Sequence, residues 1–123
     1  MLLASCAGTG EVKTGLGQKV SLSIGQQALI TGEELTIRFE EVKEDSRCPK
    51  EMTCIWQGRI RLTVEIRDDN SSYRVKLIQP GLTNQYIMET YQDYQLTFKV
   101  EPYPKAGKEI ASDEYRLLLT VSK

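Results

Sequence analysis

The side chains with the most chemical potential sit in one stretch, Asp45-Ser46-Arg47-Cys48-Pro49-Lys50-Glu51-Met52-Thr53-Cys54-Ile55-Trp56-Gln57-Gly58. It holds two of the three cysteines and the only tryptophan. Cys48 and Cys54, at C-x5-C spacing, could serve as a redox pair, as part of a zinc site or as a structural disulfide. Redox pairs usually use C-x-x-C beside a helix N-terminus, and the context here is strand-like. A zinc site wants four ligands, and two cysteines in a chain without histidine cannot supply them. The spacing therefore favours a disulfide, which forms only in an oxidising compartment. Closing so short a ring contributes about 2.4 kcal/mol in the chain-entropy model.

The same stretch supports two readings. As a folding staple, Asp45 accepts backbone N–H bonds in an Asx-type turn and Arg47 pairs with Asp45 or a strand carboxylate. Pro49 then fixes φ, and Trp56 plugs the end of the core beside the disulfide. As a recognition site, the rigid ring displays Lys50, Glu51 and Met52, with Arg47 and Trp56 flanking them. The staple is the favoured reading, because a tryptophan next to a bridge is more often core.

Other chemistry finds little support. With no histidine, Ser-His-Asp and Cys-His nucleophile systems, His-ligated metals and an imidazole pH switch are all excluded. Glu33-Glu34, Glu40-Glu41 and Glu44-Asp45 are adjacent pairs, and neighbours on a strand point to opposite faces, so they do not converge as glycosidase carboxylates. Asp68-Asp69-Asn70 lacks the spacing and terminal glutamate of a calcium loop. That segment reads as a turn; Asn70-Ser71-Ser72 also matches a glycosylation sequon, which is expected to stay unmodified given the N-terminal features of the chain. Tyr86, Tyr91 and Tyr103 could form a stacking platform for a sugar or peptide. No catalytic residue, metal site or cofactor is expected, and the chain is not expected to be an enzyme. Sixteen Lys+Arg against 17 Asp+Glu give a formal charge of -1, which argues against a dedicated nucleic-acid binder.

The elements that position these residues are strands. Period-two alternation runs through Val20-Leu22-Ile24, Leu35-Ile37-Phe39, Ile60-Leu62-Val64-Ile66, Tyr73-Val75-Leu77, Tyr94-Leu96-Phe98-Val100 and Tyr115-Leu117-Leu119-Val121, with a weaker segment from Tyr86 to Thr90. Val42 falls out of phase, which predicts a bulge at Glu40-Glu41. About seven short strands in a chain of 123 residues argue for one all-β domain, an antiparallel sandwich or barrel. One apolar face per strand favours the sandwich, immunoglobulin-like or a related Greek key. Tyr73, Tyr94 and Tyr115 sit on the core phase, so their rings are expected to be buried with hydroxyls at the rim. Residues 60–67 and 73–77 should pair as a hairpin with Ile66 opposite Tyr73 and Val64 opposite Val75. That register sets Glu65 across from Arg74, and Asp69-Asn70 centres the turn, where Asn tolerates positive φ.

The N-terminus, Leu3-Ala4-Ser5-Cys6, resembles the lipobox of bacterial lipoproteins, in which the cysteine is acylated. A signal peptide also needs a basic region and an apolar stretch, of which only Leu2 and Leu3 are present, so an upstream part is expected to be missing. Residues 1–17 are expected to be a signal remnant and flexible lipoprotein tether, and 18–123 a single β-sandwich. With Cys6 lipidated, Cys48 and Cys54 leave no odd thiol. The Asp45–Gly58 stretch, D-S-R-C-P followed by C-x-W-x-G, resembles a family of small bacterial secreted proteins and lipoproteins, loosely from Leu35 to the C-terminus. That resemblance implies the family's fold and a location in the cell envelope, and no activity. The expectation is a non-catalytic, lipid-anchored sandwich, monomeric, on the periplasmic side or cell surface, with Ala7 after the cysteine favouring the outer membrane. It would bind a protein partner or a ligand. The alternative is a secreted protease inhibitor presenting the Cys48–Cys54 loop.

Overall fold

The computed structural model describes residues 10–49, 52–81 and 85–123. The described residues form nine strands: β1 (Glu11–Thr14), β2 (Lys19–Leu22), β3 (Gln27–Ile30), β4 (Leu35–Asp45), β5 (Arg59–Arg67), β6 (Ser72–Pro80), β7 (Ile87–Tyr91), β8 (Tyr94–Glu101) and β9 (Arg116–Ser122). They form a five-stranded sheet, β1-β3-β4-β5-β6, and a four-stranded sheet, β2-β9-β8-β7. All pairings are antiparallel except β1 with β3. The inward residues of both sheets, among them Leu22, Ile37, Phe39, Leu62, Leu96, Phe98 and Leu119, form one core. This is the expected all-β sandwich, with nine strands rather than about seven.

Two strands escape the alternation rule: β1 has one apolar residue, Val12, and in β3 Ala28-Leu29-Ile30 is apolar without a break. β3 has only Ala28 and Ile30 facing inward. β1 lies inside the segment expected to be tether, yet it pairs with β3 over its full length. The tether read over 1–17 therefore gives way to folded chain from Glu11; Cys6 and the rest of 1–9 lie outside the described residues.

The β5–β6 hairpin has the expected register, with Ile66 opposite Tyr73, Val64 opposite Val75 and Glu65 opposite Arg74. Its details differ. Arg74 reaches Glu40 at 3.1 Å, while Glu65 takes the Ser72 hydroxyl. The turn is built by the Asp68 carboxylate, which accepts the N–H groups of Asn70 and Ser71; Asn70 does not adopt positive φ. Tyr73 is 45% exposed, because β6 is an edge strand whose start overhangs the core. Tyr94 is half-buried and Tyr115 buried, as their phase requires.

β4 carries the irregularity that shapes the site. Its register against β5 shifts between Phe39 and Glu41, at the expected bulge, and again between Val42 and Glu44. Each shift adds one residue to β4. Ile37, Phe39, Val42 and Asp45 consequently stand opposite Ile66, Val64, Leu62 and Ile60, the inward residues of β5. A carboxylate thereby arrives at a core-facing position at one end of the sandwich.

Candidate functional site

A carboxylate facing a core must be paired to remain charged. Asp45 is paired by residues that flank a strand of each sheet, Arg47 after β4 and Tyr115 before β9. Arg47 donates from Nε to Asp45 Oδ1 and from one terminal nitrogen to Oδ2, each at 2.8 Å. Tyr115, the first core-phase residue before β9, donates its hydroxyl to Oδ2 at 2.7 Å. The Arg47 backbone N–H also leans on Oδ1, at 3.4 Å, which is the expected Asx-type contact. The same guanidinium donates to the carbonyls of Val100 and Pro102 at the end of β8. Burial works against charge on Asp45, but the Arg47 and Tyr115 hydrogen bonds outweigh it and hold the carboxyl below its ordinary value. Burial and the Asp45 carboxylate push the Tyr115 hydroxyl well above the usual tyrosine value. Clefts flank the cluster; one of ≈ 330 Å³ is lined by Asp45, Arg47, Pro104, Lys108, Ile110 and Tyr115. With its oxygens already accepting from Arg47 and Tyr115, Asp45 has little capacity left to act on a substrate there.

The disulfide loop grows from this cluster. The β4–β5 ladder continues past Asp45–Ile60 through Ser46 N–H to Arg59 O (2.8 Å) and Cys48 N–H to Gln57 O (3.2 Å). Gly58 has φ +69°, and a Cβ there would lie 1.7 Å from Ser46 O. Gly81, after β6, is packed as tightly, since its Cβ would fall 1.9 Å from Gln57 O. The first contact gives the glycine of the W-x-G motif its physical reason, and the second does the same for Gly81: at each the chain crosses too closely for any side chain. The Tyr103 hydroxyl, with one proton to donate, bridges the carbonyls of Cys48 and Gly81. Arg47 lies over the Tyr103 ring, 5.5 Å from its centroid. Cys48 is buried and Cys54 exposed, and the expected disulfide joins them.

Beyond this base the loop turns outward. Trp56 is 80% exposed and Ile55 92%, with Met52 at 53%. The expected role of Trp56 as a core plug is overturned: the Gly58 crossing turns the chain so that the residues before it leave the sandwich. Arg47, expected among the displayed residues, is instead buried and committed to Asp45. Met52 is displayed as the recognition reading requires; Lys50 and Glu51 lie outside the described residues. Ile55 is the member of the tip that sequence reasoning missed, although its place between Cys54 and Trp56 is a signal.

The remaining candidates disperse. Tyr86 lies under Lys19 and Lys99, Tyr91 meets Tyr73 and Tyr103 supports the loop base, so they form no common platform. Glu33 binds Lys123 and the Tyr94 hydroxyl, Glu40 binds Arg74, and Glu44 faces Arg59 and Arg61. Among the described residues, no group of three or more His, Cys, Asp or Glu is placed to hold a metal ion. No helix among them is long and apolar enough to cross a membrane. No protein-family model, curated protein or solved structure matches the chain.

Proposed function

We propose that this protein is a non-catalytic β-sandwich, tethered to the bacterial cell envelope by a lipid on Cys6, that binds through the apolar tip of its disulfide loop. The observation that carries the reading is the pairing of a saturated base with an exposed Met52, Ile55 and Trp56. Exposed apolar residues are ordinary when scattered, but three within five positions on one pinned loop form a cluster of the kind used in recognition. Tryptophan is the side chain most enriched at binding hot spots. A loop already ordered by a disulfide and close backbone packing loses little entropy on binding. The lipobox at the N-terminus and the D-S-R-C-P motif support the envelope address.

A photo-crosslinking residue in place of Ile55 tests the binding surface in cells. Adducts that form there and not from Lys76 on β6 support it; equal labelling from both sites contradicts it. Incorporation of labelled fatty acid into the protein expressed with a full leader, lost in Cys6→Ser, tests the tether.

The protease-inhibitor alternative draws on Met52, exposed within the disulfide ring. Against it, the Met52 N–H donates to Pro49 O at 3.1 Å and so is not free to pair with a protease.

A further inference from the structure

The route of the chain constrains what the loop tip meets. β1 is parallel to β3 and β3 antiparallel to β4, so the direction from Thr14 back to Glu11 is the direction of β4 from Arg38 to Asp45. Read backwards from Thr14 to Gly10, the backbone therefore points toward the end of the sandwich that carries the disulfide loop. Glu11 lies level with Gln27, Arg38 and Glu65 across the sheet. From that level, β5 runs from Glu65 to Ile60, about 17 Å at the usual rise per residue, before the loop begins. The stretch from Cys6 to Glu11 spans at most about 18 Å when fully extended. Cys6 therefore reaches little farther than the level of Asp45 and Ile60, while the ladder continues past that level through Ser46–Arg59 and Cys48–Gln57.

We infer that, when Cys6 is lipidated, the tip formed by Met52, Ile55 and Trp56 inserts into the interface of the same bilayer and fixes the orientation of the domain on it. The inference rests on the lipid-tether reading above. A bilayer surface passing through Cys6 meets the loop whenever the strands stand upright. The side chains presented suit that surface: an indole prefers the headgroup region, and isoleucine and methionine gain by entering the acyl boundary. The tether makes insertion intramolecular, so a contact too weak to hold a free protein is populated once Cys6 is anchored.

Trp56 is the only tryptophan, so tryptophan emission, excited at the red edge where tyrosine does not absorb, reads the tip alone. The lipidated full-length protein is placed on vesicles of phosphatidylethanolamine and phosphatidylglycerol and compared with the Cys6→Ser protein in buffer. The expected result is a shift of emission to shorter wavelength and a roughly two-fold or greater fall in quenching by aqueous iodide, as suits an indole at the interface. Brominated lipids should quench the same signal. Met52→Ser with Ile55→Ser, both at exposed positions, should restore part of the iodide access without unfolding the domain. Unchanged emission from protein that sediments with the vesicles overturns the inference and leaves the tether standing. Protein that carries no lipid and stays off the vesicles overturns both. Crosslinks from position 55 to a protein, with none to lipid, overturn the inference and leave the binding reading intact.

Discussion

The base and the tip of the disulfide loop are separated by a few residues and obey opposite rules. At the base, Asp45, Arg47, Cys48, Gly58 and Tyr103 are hydrogen-bonded or packed against backbone. At the tip, Met52, Ile55 and Trp56 bury little. Were the loop only a staple, its one tryptophan would be the natural plug, because burying a large apolar side chain contributes about 1.5–3 kcal/mol. The protein instead holds the loop with an ion pair, a disulfide and two glycine crossings, and leaves the tryptophan in water. Stability and display are assigned to different residues, so substitutions should separate them.

The largest effect is expected from Gly58→Ala. The new Cβ would overlap Ser46 O at a positive φ, and the variant should lose about 4 kcal/mol or more in urea denaturation. Arg47→Met should cost about 3 kcal/mol, because it strands the Asp45 carboxylate beside the core and removes the partner of the Val100 and Pro102 carbonyls. If the double variant Asp45→Asn/Arg47→Met is no worse than Arg47→Met alone, the loss lies in the unpaired charge rather than in packing. Removing the disulfide with Cys48→Ser/Cys54→Ser should cost about 2 kcal/mol and leave the sandwich folded, as circular dichroism would show.

The pH dependence sharpens the role of Asp45. Its carboxyl is held below the ordinary value of 3.8, so its contribution is present above about pH 4 and lost as pH falls through the lowered folded value. Tyr115 is raised above 10.0, so its contribution is present below about pH 10 and lost at higher pH. Asp45→Asn should flatten the acid limb of a stability-against-pH curve relative to the parent. The smallest change in stability is expected at the tip: Trp56→Ser should alter it by no more than about 0.5 kcal/mol while abolishing adducts from the photo-crosslinker at position 55. A large loss of stability in Trp56→Ser would erase the distinction between base and tip.

Much of the base is legible in residue types, and little of the tip. The Cys48–Cys54 bond follows from count and spacing, and the Asp45–Arg47 contact from their proximity in sequence. Tyr115 cannot be placed there by sequence, since it lies 70 residues from Asp45 and meets it only when two sheets close. Trp56 defies its expected place because residue type sets an average burial, whereas one glycine crossing sets its direction.

Local alternation specifies the inward faces of β4, β5, β8 and β9, the first bulge and the parity of the β5–β6 register. A one-residue slip there would exchange every core side chain for a solvent-facing one, and the opposite charges of Glu65 and Arg74 select among the registers that remain. The second bulge leaves no such sign, because Lys43-Glu44-Asp45 is polar throughout and cannot reveal a change of phase. The parallel β1–β3 pair is silent for a related reason: Ala28-Leu29-Ile30 is apolar without a break, and β1 has only Val12 as an apolar residue. Three outcomes wait for the folded chain: a carboxylate faces the core, a tyrosine 70 residues away joins the neighbouring arginine in holding it, and the tryptophan stands outside. Each depends on how two sheets meet at one end, which no local pattern encodes.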